Sequence, residues 1–156
     1  MKEKLRLIPL QVNWKAGRYG IHIEGQEAAT LRVSTMVTLS DDSKKRLTIQ
    51  FESFAACRFL NFNFGDQHYN EYLIRSPDNM FLEDTAGWEP YCHLFREKGI
   101  CPNPYFYIVE NTSWFREKQV YQRLPKRGFK HFLLVGYDSY LEVLAKDDLK
   151  YQLDSQ

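Results

Sequence analysis

The sequence predicts an α+β fold made mainly of antiparallel β-sheet, arranged as a sandwich or a half-barrel, with two short helices. Hydrophobic and polar residues alternate over several segments, which is the pattern of strands with one buried face. Aromatic residues make up 15% of the chain, and their rings favour strands and cores. The strand-like segments also follow one another in runs, which is typical of antiparallel sheets.

The N-terminal half contains the clearest strand patterns. LRLIPL at 5–10 and RYGIHIEG at 18–25 predict two short strands. Residues 31–52 predict a hairpin, because two alternating segments flank the polar turn SDDSKK. CRFLNFNF at 57–64 predicts a third strand.

The middle of the chain predicts a loop followed by a helix. Residues 65–87 are polar and rich in turn formers, which indicates a long irregular loop. From Trp88 onwards apolar side chains recur at helical spacing up to Phe95, and Gly99 suits a left-handed C-cap. We therefore expect the first short helix between Trp88 and Gly99.

The C-terminal third predicts a strand, a helix and a second hairpin. Tyr105 to Val109 is apolar on both faces, which favours a central strand. Asn111 or Thr112 then caps a helix that Pro125 ends. KHFLLVG and YLEVLA predict the hairpin, and we expect the polar tail at 146–156 to fray or to lie on the surface.

Seven side chains are expected to share one interior, because each lies on the apolar face of an alternating strand or in a strand that is apolar on both faces. They are Val33, Val37, Ile49, Phe51, Ile108, Leu133 and Val143.

The length and charge of the chain limit its organisation. Its 156 residues, 44% hydrophobic and 26% charged, suit a single domain over 1–156. The formal net charge is +1, so no net field would concentrate nucleic acid or anionic lipid at the surface. We therefore expect a protein that binds neither nucleic acid nor membranes. Nothing in the sequence indicates an oligomeric state.

The cysteines and the N-terminal segment favour a cytoplasmic protein. Cys57, Cys92 and Cys101 are odd in number, and their spacings match neither a disulfide framework nor a paired zinc motif. The apolar stretch near the N-terminus is interrupted by Arg6 and Pro9 and lacks the core of a signal peptide. We expect reduced thiols, no metal ion and no cofactor.

The segments YIVENTSWFREKQ and KHFLLVGYDSYLEVLA carry a resemblance to a known group of proteins. Residues 107–146, and in part 49–62, resemble the C-terminal part of small uncharacterised bacterial proteins, some of which belong with the immunity proteins of polymorphic toxin systems. This resemblance implies a compact bacterial protein built on a sheet and without catalysis. It transfers no functional residue, because the shared features are scaffold elements.

The residues of the long loop suggest a binding function. His68, Tyr69, Tyr72, Arg75 and Trp88 combine aromatic anchors with polar neighbours, which is the composition of a protein-binding surface. The structural alternative is that the rings fold back and cover the sheet. Our first hypothesis is a non-enzymatic protein-binding domain, most concretely an immunity-type inhibitor of a bacterial toxin.

Two other functions remain open at this point. A small enzyme could use a dispersed site of Cys92, His131 and Asp138, with His131 oriented as a base by Asp138 or Glu142 across the hairpin. A structural cross-strand pair is the commoner explanation of such a histidine. No nucleotide-binding or acyl-transfer motif accompanies these residues. The third hypothesis is a ligand-binding scaffold domain.

Overall fold

Two β-sheets pack against each other in the computed structural model, which describes residues 3–27 and 30–154. The strands are β1 (Leu5–Pro9), β2 (Trp14–Lys15), β3 (Ile21–Glu27), β4 (Thr30–Leu39), β5 (Lys44–Phe51), β6 (Phe54–Leu60), β7 (Tyr72–Arg75), β8 (Phe81–Leu82), β9 (Phe106–Val109), β10 (Phe129–Val135), β11 (Tyr140–Lys146) and β12 (Leu149–Asp154). The α-helices are α1 (Phe64–Gln67) and α2 (Leu94–Lys98). The prediction of an α+β fold with a mainly antiparallel sheet and two short helices is confirmed.

The larger sheet has seven strands in the order β6-β11-β10-β9-β1-β7-β8. The smaller sheet has the order β12-β5-β4-β2, and β3 also pairs with β4. Both predicted hairpins are present, as β4–β5 and as β10–β11. Among the described strands only β1 and β7 pair in parallel.

The main core lies between the two sheets. Val33 and Ile49 from the smaller sheet are fully buried there, and Phe51 meets Phe132 of the larger sheet edge to face at 5.6 Å. Six of the seven predicted interior residues belong to this core or pack against it. Leu133 does not, because it follows Phe132 in β10 and successive side chains of a strand point to opposite faces.

Leu133 belongs to a second cluster on the outer face of the larger sheet. This cluster also contains Leu7 and Tyr107 and is covered by Phe64 of α1. Strand β10 is therefore buried on both faces, which is why its sequence does not alternate.

The segment at 65–87 is not the irregular loop that we predicted. It contains β7, which joins β1 in parallel, and Ile74 in the middle of β7 is fully buried. The strand is only four residues long, so its own sequence shows no useful alternation. Its partner is far away in the chain, and the pairing therefore depends on tertiary structure.

The third strand and the first helix differ from their predicted limits. Strand β6 ends at Leu60, because Asn63 caps α1 by accepting a hydrogen bond from the Asp66 backbone N–H at 3.0 Å. The predicted helix after Trp88 is divided into a 3₁₀ turn, Glu89–Tyr91, and α2. Its predicted end is correct: Gly99 has a left-handed φ of 74° at the C-cap.

The helix predicted after Asn111 is absent and is replaced by 3₁₀ turns at Trp114–Arg116, Gln119–Tyr121 and Pro125–Arg127. The Asn111 side chain is engaged elsewhere, because its Oδ1 accepts the Arg6 backbone N–H at 2.7 Å.

The polar tail does not fray over its described part. Residues 149–154 form β12, which lies at the surface and pairs with β5 along its whole length. Tyr151 also meets Trp14 edge to face at 5.9 Å. Residues 155 and 156 lie outside the described residues. The helices in the described part of the chain are all too short or too polar to traverse a lipid bilayer.

Candidate functional site

A cavity of about 250 Å³ lies between α1 and the start of β9 and has one carboxylate in its wall. We call it the tyrosine pocket, and its principal residues are Gly65, Tyr72, Asp84, Tyr105, Tyr107 and Tyr137. Tyr72 begins β7, Asp84 follows β8, Tyr105 directly precedes β9, and Tyr107 lies in β9. The order of the larger sheet, in which only β1 separates β9 from β7, thus brings together residues that are distant in sequence.

Hydrogen bonds organise the polar wall of the tyrosine pocket around Asp84. Its carboxylate accepts from the Tyr72 hydroxyl at 3.3 Å, from the Tyr105 hydroxyl at 3.2 Å and from Asn103 Nδ2 at 3.2 Å. Asn103 Oδ1 in turn accepts from the Tyr107 hydroxyl at 2.5 Å. The donors to Asp84 that the structure describes are all neutral groups.

The tyrosines stay protonated over the whole physiological range. Burial raises the pKa of Tyr72 and of Tyr105, and the nearby charge of Asp84 raises both further. Burial likewise raises the pKa of Tyr107 well above its ordinary value. The hydroxyl groups therefore act as hydrogen-bond donors, those of Tyr72 and Tyr105 to Asp84 and that of Tyr107 to Asn103, and not as acids or nucleophiles near neutral pH.

Tyr105 adopts an unusual backbone conformation to enter the pocket. Its φ is 62°, in the left-handed region, which costs a non-glycine residue about 1 kcal/mol or more. The ring lies against Gly17, where a Cβ atom would come within 3.0 Å of Tyr105 Cγ. Glycine is therefore the residue that leaves room for this ring.

A larger cleft, of about 690 Å³, lies on the outer face of the same sheet. We call it the histidine cleft, and its principal residues are Arg58, His68, Trp114, His131, Tyr140 and Glu142. Glu142 of β11 lies directly opposite Arg58 of β6, and His131 of β10 lies diagonally across from Glu142. The Arg58 guanidinium stacks on Trp114, 4.0 Å from the ring centroid.

His131 is bonded at both ring nitrogens. Nδ1 lies 2.7 Å from Thr112 Oγ1, and Nε2 lies 2.8 Å from Glu142 Oε1. Arg58 Nε donates to the other Glu142 oxygen at 2.8 Å. In the neutral ring Nε2 donates to this carboxylate, so Nδ1 accepts from the Thr112 hydroxyl. Both ring nitrogens of His131 are therefore engaged with side chains of the protein.

The same contacts set the ionisation of Glu142. Burial alone would raise the pKa of this carboxyl, but the hydrogen bonds and charges of His131 and Arg58 outweigh burial and hold the pKa below its ordinary value. Glu142 is therefore a carboxylate at neutral pH. The structural cross-strand pair that we considered for His131 is formed with Glu142.

The grouping of Cys92, His131 and Asp138 is not formed. Cys92 is exposed in a separate cleft beside Trp88. Asp138 is exposed in the turn between β10 and β11, and the partner of His131 is Glu142. The three cysteines are free thiols: Cys92 is exposed, Cys57 is half-buried and Cys101 is buried.

The five predicted binding residues do not form one surface. Tyr72 lies in the tyrosine pocket, and His68 lies in the histidine cleft, where its Nε2 is 3.2 Å from the Tyr140 hydroxyl. Trp88 is half-buried and donates from Nε1 to the Glu83 carbonyl, and Arg75 lines a further cleft. Tyr69 alone of the five has a largely exposed ring, with 81% of its surface accessible.

Two exposed rings near α1 were missed by the sequence analysis. Phe62 is 56% exposed and Tyr137 is 62% exposed. Asn63, next to Phe62, donates from Nδ2 to the Tyr137 carbonyl at 2.9 Å, so the two segments are tied together. Together with Tyr69 they form what we call the aromatic rim of α1. An exposed ring in a turn has no periodicity, so only its residue type could have indicated it.

No protein-family model matches the chain, and neither a curated protein nor a solved structure matches it. The resemblance of residues 107–146 to immunity proteins is therefore neither supported nor opposed by these comparisons. The candidate residues follow from the geometry of the chain alone.

Proposed function

We propose that the protein is a non-enzymatic protein-binding domain, of the immunity-inhibitor type, and that it binds its partner with the surface around α1. The observation that carries this proposal is the aromatic rim. Its three rings, Phe62, Tyr69 and Tyr137, are each more than half exposed and all adjoin the same short helix. Exposed rings grouped in this way are typical of interfaces, where they act as anchors in partner pockets.

The support beneath the rim favours binding. Phe64 is buried under α1 and contacts Tyr72 and Tyr140, with ring centroids 4.9 and 5.1 Å apart. Asn63 both caps the helix and bonds the Tyr137 segment. A surface that is held in place before binding loses little conformational entropy on association.

The polar side chains favour a binding role over a catalytic one. In the histidine cleft, His131 and Glu142 bond each other and their neighbours Thr112 and Arg58, as a structural cross-strand pair does. In the tyrosine pocket, the high pKa of Tyr72 and of Tyr105 removes them as nucleophiles. The immunity-type assignment itself rests on the resemblance of residues 107–146.

The proposal can be tested by affinity capture from a lysate of the source organism followed by binding measurements with the purified partner. We expect the double variant Phe62→Ser/Tyr137→Ser to raise the Kd at least about thirtyfold, which corresponds to about 2 kcal/mol. The matched control is Val120→Ser, since Val120 is 72% exposed on a 3₁₀ turn away from α1.

Calorimetric titration of the wild-type chain and both variants gives the comparison. The assignment of the binding site to the surface around α1 is wrong if the double variant binds the partner as tightly as Val120→Ser does. The protein-binding function is wrong if no captured protein binds the purified chain in solution.

A further inference from the structure

We infer that the tyrosine pocket receives an arginine side chain of the protein partner. This inference rests on the proposed function, because the arginine belongs to the protein that binds the surface around α1. It adds the chemistry of recognition: one cationic side chain enters a cavity walled by tyrosines and ending on Asp84.

The charge of the pocket favours a cation. Asp84 is the one charged residue among those described that line the cavity, and its donors are two phenols and an amide. Two cations lie near this wall without lining the cavity: Lys15 lies over the Tyr105 ring in the neighbouring cleft, 5.5 Å from the centroid, and the charge of Arg18 also acts on Tyr105. A negative charge hydrogen-bonded only by neutral groups attracts a cation strongly in a partly dehydrated cavity.

The aromatic walls also favour a cation. Phe64, Tyr72, Tyr105, Tyr107 and Tyr137 line the cavity. The face of an aromatic ring is electrically negative, and a guanidinium stacks on it more readily than an ammonium does. Several rings around one carboxylate thus combine two attractions for the same group.

The distribution of acceptors favours arginine over lysine. The Tyr72 and Tyr105 hydroxyls use their protons for Asp84, which leaves their oxygen lone pairs as acceptors next to the carboxylate. A planar guanidinium has five N–H donors that can reach these separate oxygens, whereas an ammonium has three around one point. The cavity, about 250 Å³, is below the usual range of drug-sized sites and suits the end of one side chain.

The pocket adjoins the aromatic rim. Tyr137 is a member of both, and Gly65 of α1 lines the cavity next to the Phe62–Asn63 segment. A partner seated on the aromatic rim could therefore extend one side chain into the cavity. The left-handed Tyr105 and the room left by Gly17 keep this cavity formed before the partner arrives.

The test is a nuclear magnetic resonance titration of the full chain with N-acetyl-L-arginine amide, which carries the guanidinium without a partner protein. We expect saturable shifts of the Gly65 and Gly136 amides, which line the pocket, with a Kd on the order of millimolar. The citrulline analogue has the same shape without the charge, and the lysine analogue has the charge without the planar fork. We expect each to bind at least about fivefold more weakly.

Two variants and a matched control locate the binding. Asp84→Asn should raise the Kd of the arginine probe about tenfold or more. Asp66→Asn removes the same charge from α1 outside the pocket lining and should leave the Kd unchanged. Gly65→Leu should block the cavity from the side of α1 and keeps the Asp84 carboxylate, because a Cβ at Gly65 lies 3.4 Å from Asn63 Oδ1 and 3.8 Å from the Tyr72 hydroxyl. This variant keeps the test decisive if Asp84→Asn does not fold.

Equal binding of the citrulline analogue, or unchanged binding by Gly65→Leu, would overturn the inference. Tighter binding of the lysine analogue would overturn the choice of arginine. These results are independent of the proposed function, because the probe is tested on the isolated chain. If the arginine probe does not bind, the effect of Phe62→Ser/Tyr137→Ser on partner binding still stands. If that double variant has no effect, the result of the titration with the probe still stands.

Discussion

The ring of Tyr105 closes directly over the backbone of Gly17, so that a Cβ atom on Gly17 would lie 3.0 Å from Tyr105 Cγ. Both residues have left-handed backbone conformations, with φ of 102° at Gly17 and 62° at Tyr105. The strain at Tyr105 is offset by burial of its ring and by its hydrogen bond to Asp84. This contact forms one wall of the tyrosine pocket.

The variant Gly17→Ala should destabilise the protein by about 2 to 3 kcal/mol, because the new methyl group meets the ring and the backbone is strained as well. Gly99→Ala has the same backbone penalty in open space and should cost only about 1 kcal/mol. Gly20→Ala has neither problem and should change stability by less than about 0.5 kcal/mol. Urea unfolding curves give the three values. Equal costs for Gly17→Ala and Gly99→Ala would show that the Tyr105 ring moves aside.

The rings of segment 65–88 should separate into binding and structural groups. Tyr69→Ala should leave the melting temperature nearly unchanged and weaken binding of the partner, since the Tyr69 ring is exposed. Tyr72→Ala and Trp88→Ala should lower the melting temperature by several degrees, since both rings pack against the outer cluster. Differential scanning calorimetry measures these shifts. A large loss of stability in Tyr69→Ala would contradict its assignment to the aromatic rim.

Stability should fall at acid pH partly through Glu142. The pKa of this group is lower in the folded chain than its ordinary value of 4.5, so its stabilising contribution is complete above that value and is lost as the pH falls through the folded pKa. The variant Glu142→Gln should cost about 2 to 3 kcal/mol at neutral pH and show a smaller loss of stability below about pH 4.5. Urea unfolding at a series of pH values measures both effects.

The control for Glu142 is Glu117→Gln. It removes an exposed carboxylate that pairs with the same arginine, since Glu117 Oε2 lies 3.4 Å from Arg58 Nη1. It should change stability by less than about 0.5 kcal/mol. If the stability of the wild type and of Glu142→Gln fell identically at acid pH, the pKa of Glu142 would not be lowered in the folded state.

The three thiols should react at different rates. Cys92 is exposed and should react within minutes with a disulfide reagent in the native protein. Cys101 is buried, and burial raises its pKa to about 11, so it should react only after unfolding. Thiol titration should therefore find one fast group in the native chain and three in denaturant. Two missing thiols in denaturant would reveal a disulfide.

The variant Phe51→Ala should cost about 3 to 5 kcal/mol, because Phe51 is buried between the sheets and packs edge-on against Phe132. Phe62→Ala removes the same ring from an exposed position and should change stability by less than about 0.5 kcal/mol. Denaturant unfolding compares the two variants. A loss below about 1 kcal/mol at Phe51 would mean that the two sheets do not share the core described above.

The sequence by itself determined the elements whose signals are local. The alternation in β4 and β5 indicates which face is buried, and it is confirmed by the buried Val33 and Ile49. The left-handed end of α2 at Gly99 was equally predictable, because glycine is the residue that adopts this φ without strain. Such features depend on the conformational preferences of a few neighbouring residues.

Tertiary structure alone decided which residues meet in the tyrosine pocket. Tyr72, Asp84 and Tyr105 come together because β7 pairs in parallel with β1, which also pairs with β9. Neither pairing could be predicted from sequence, because β7 and β9 are only four residues long. The position of Leu133 could not be predicted either, since β10 is buried on both faces and its sequence has no alternation. The order of strands is set by the total packing of both sheets, and the pocket exists only once that order is formed.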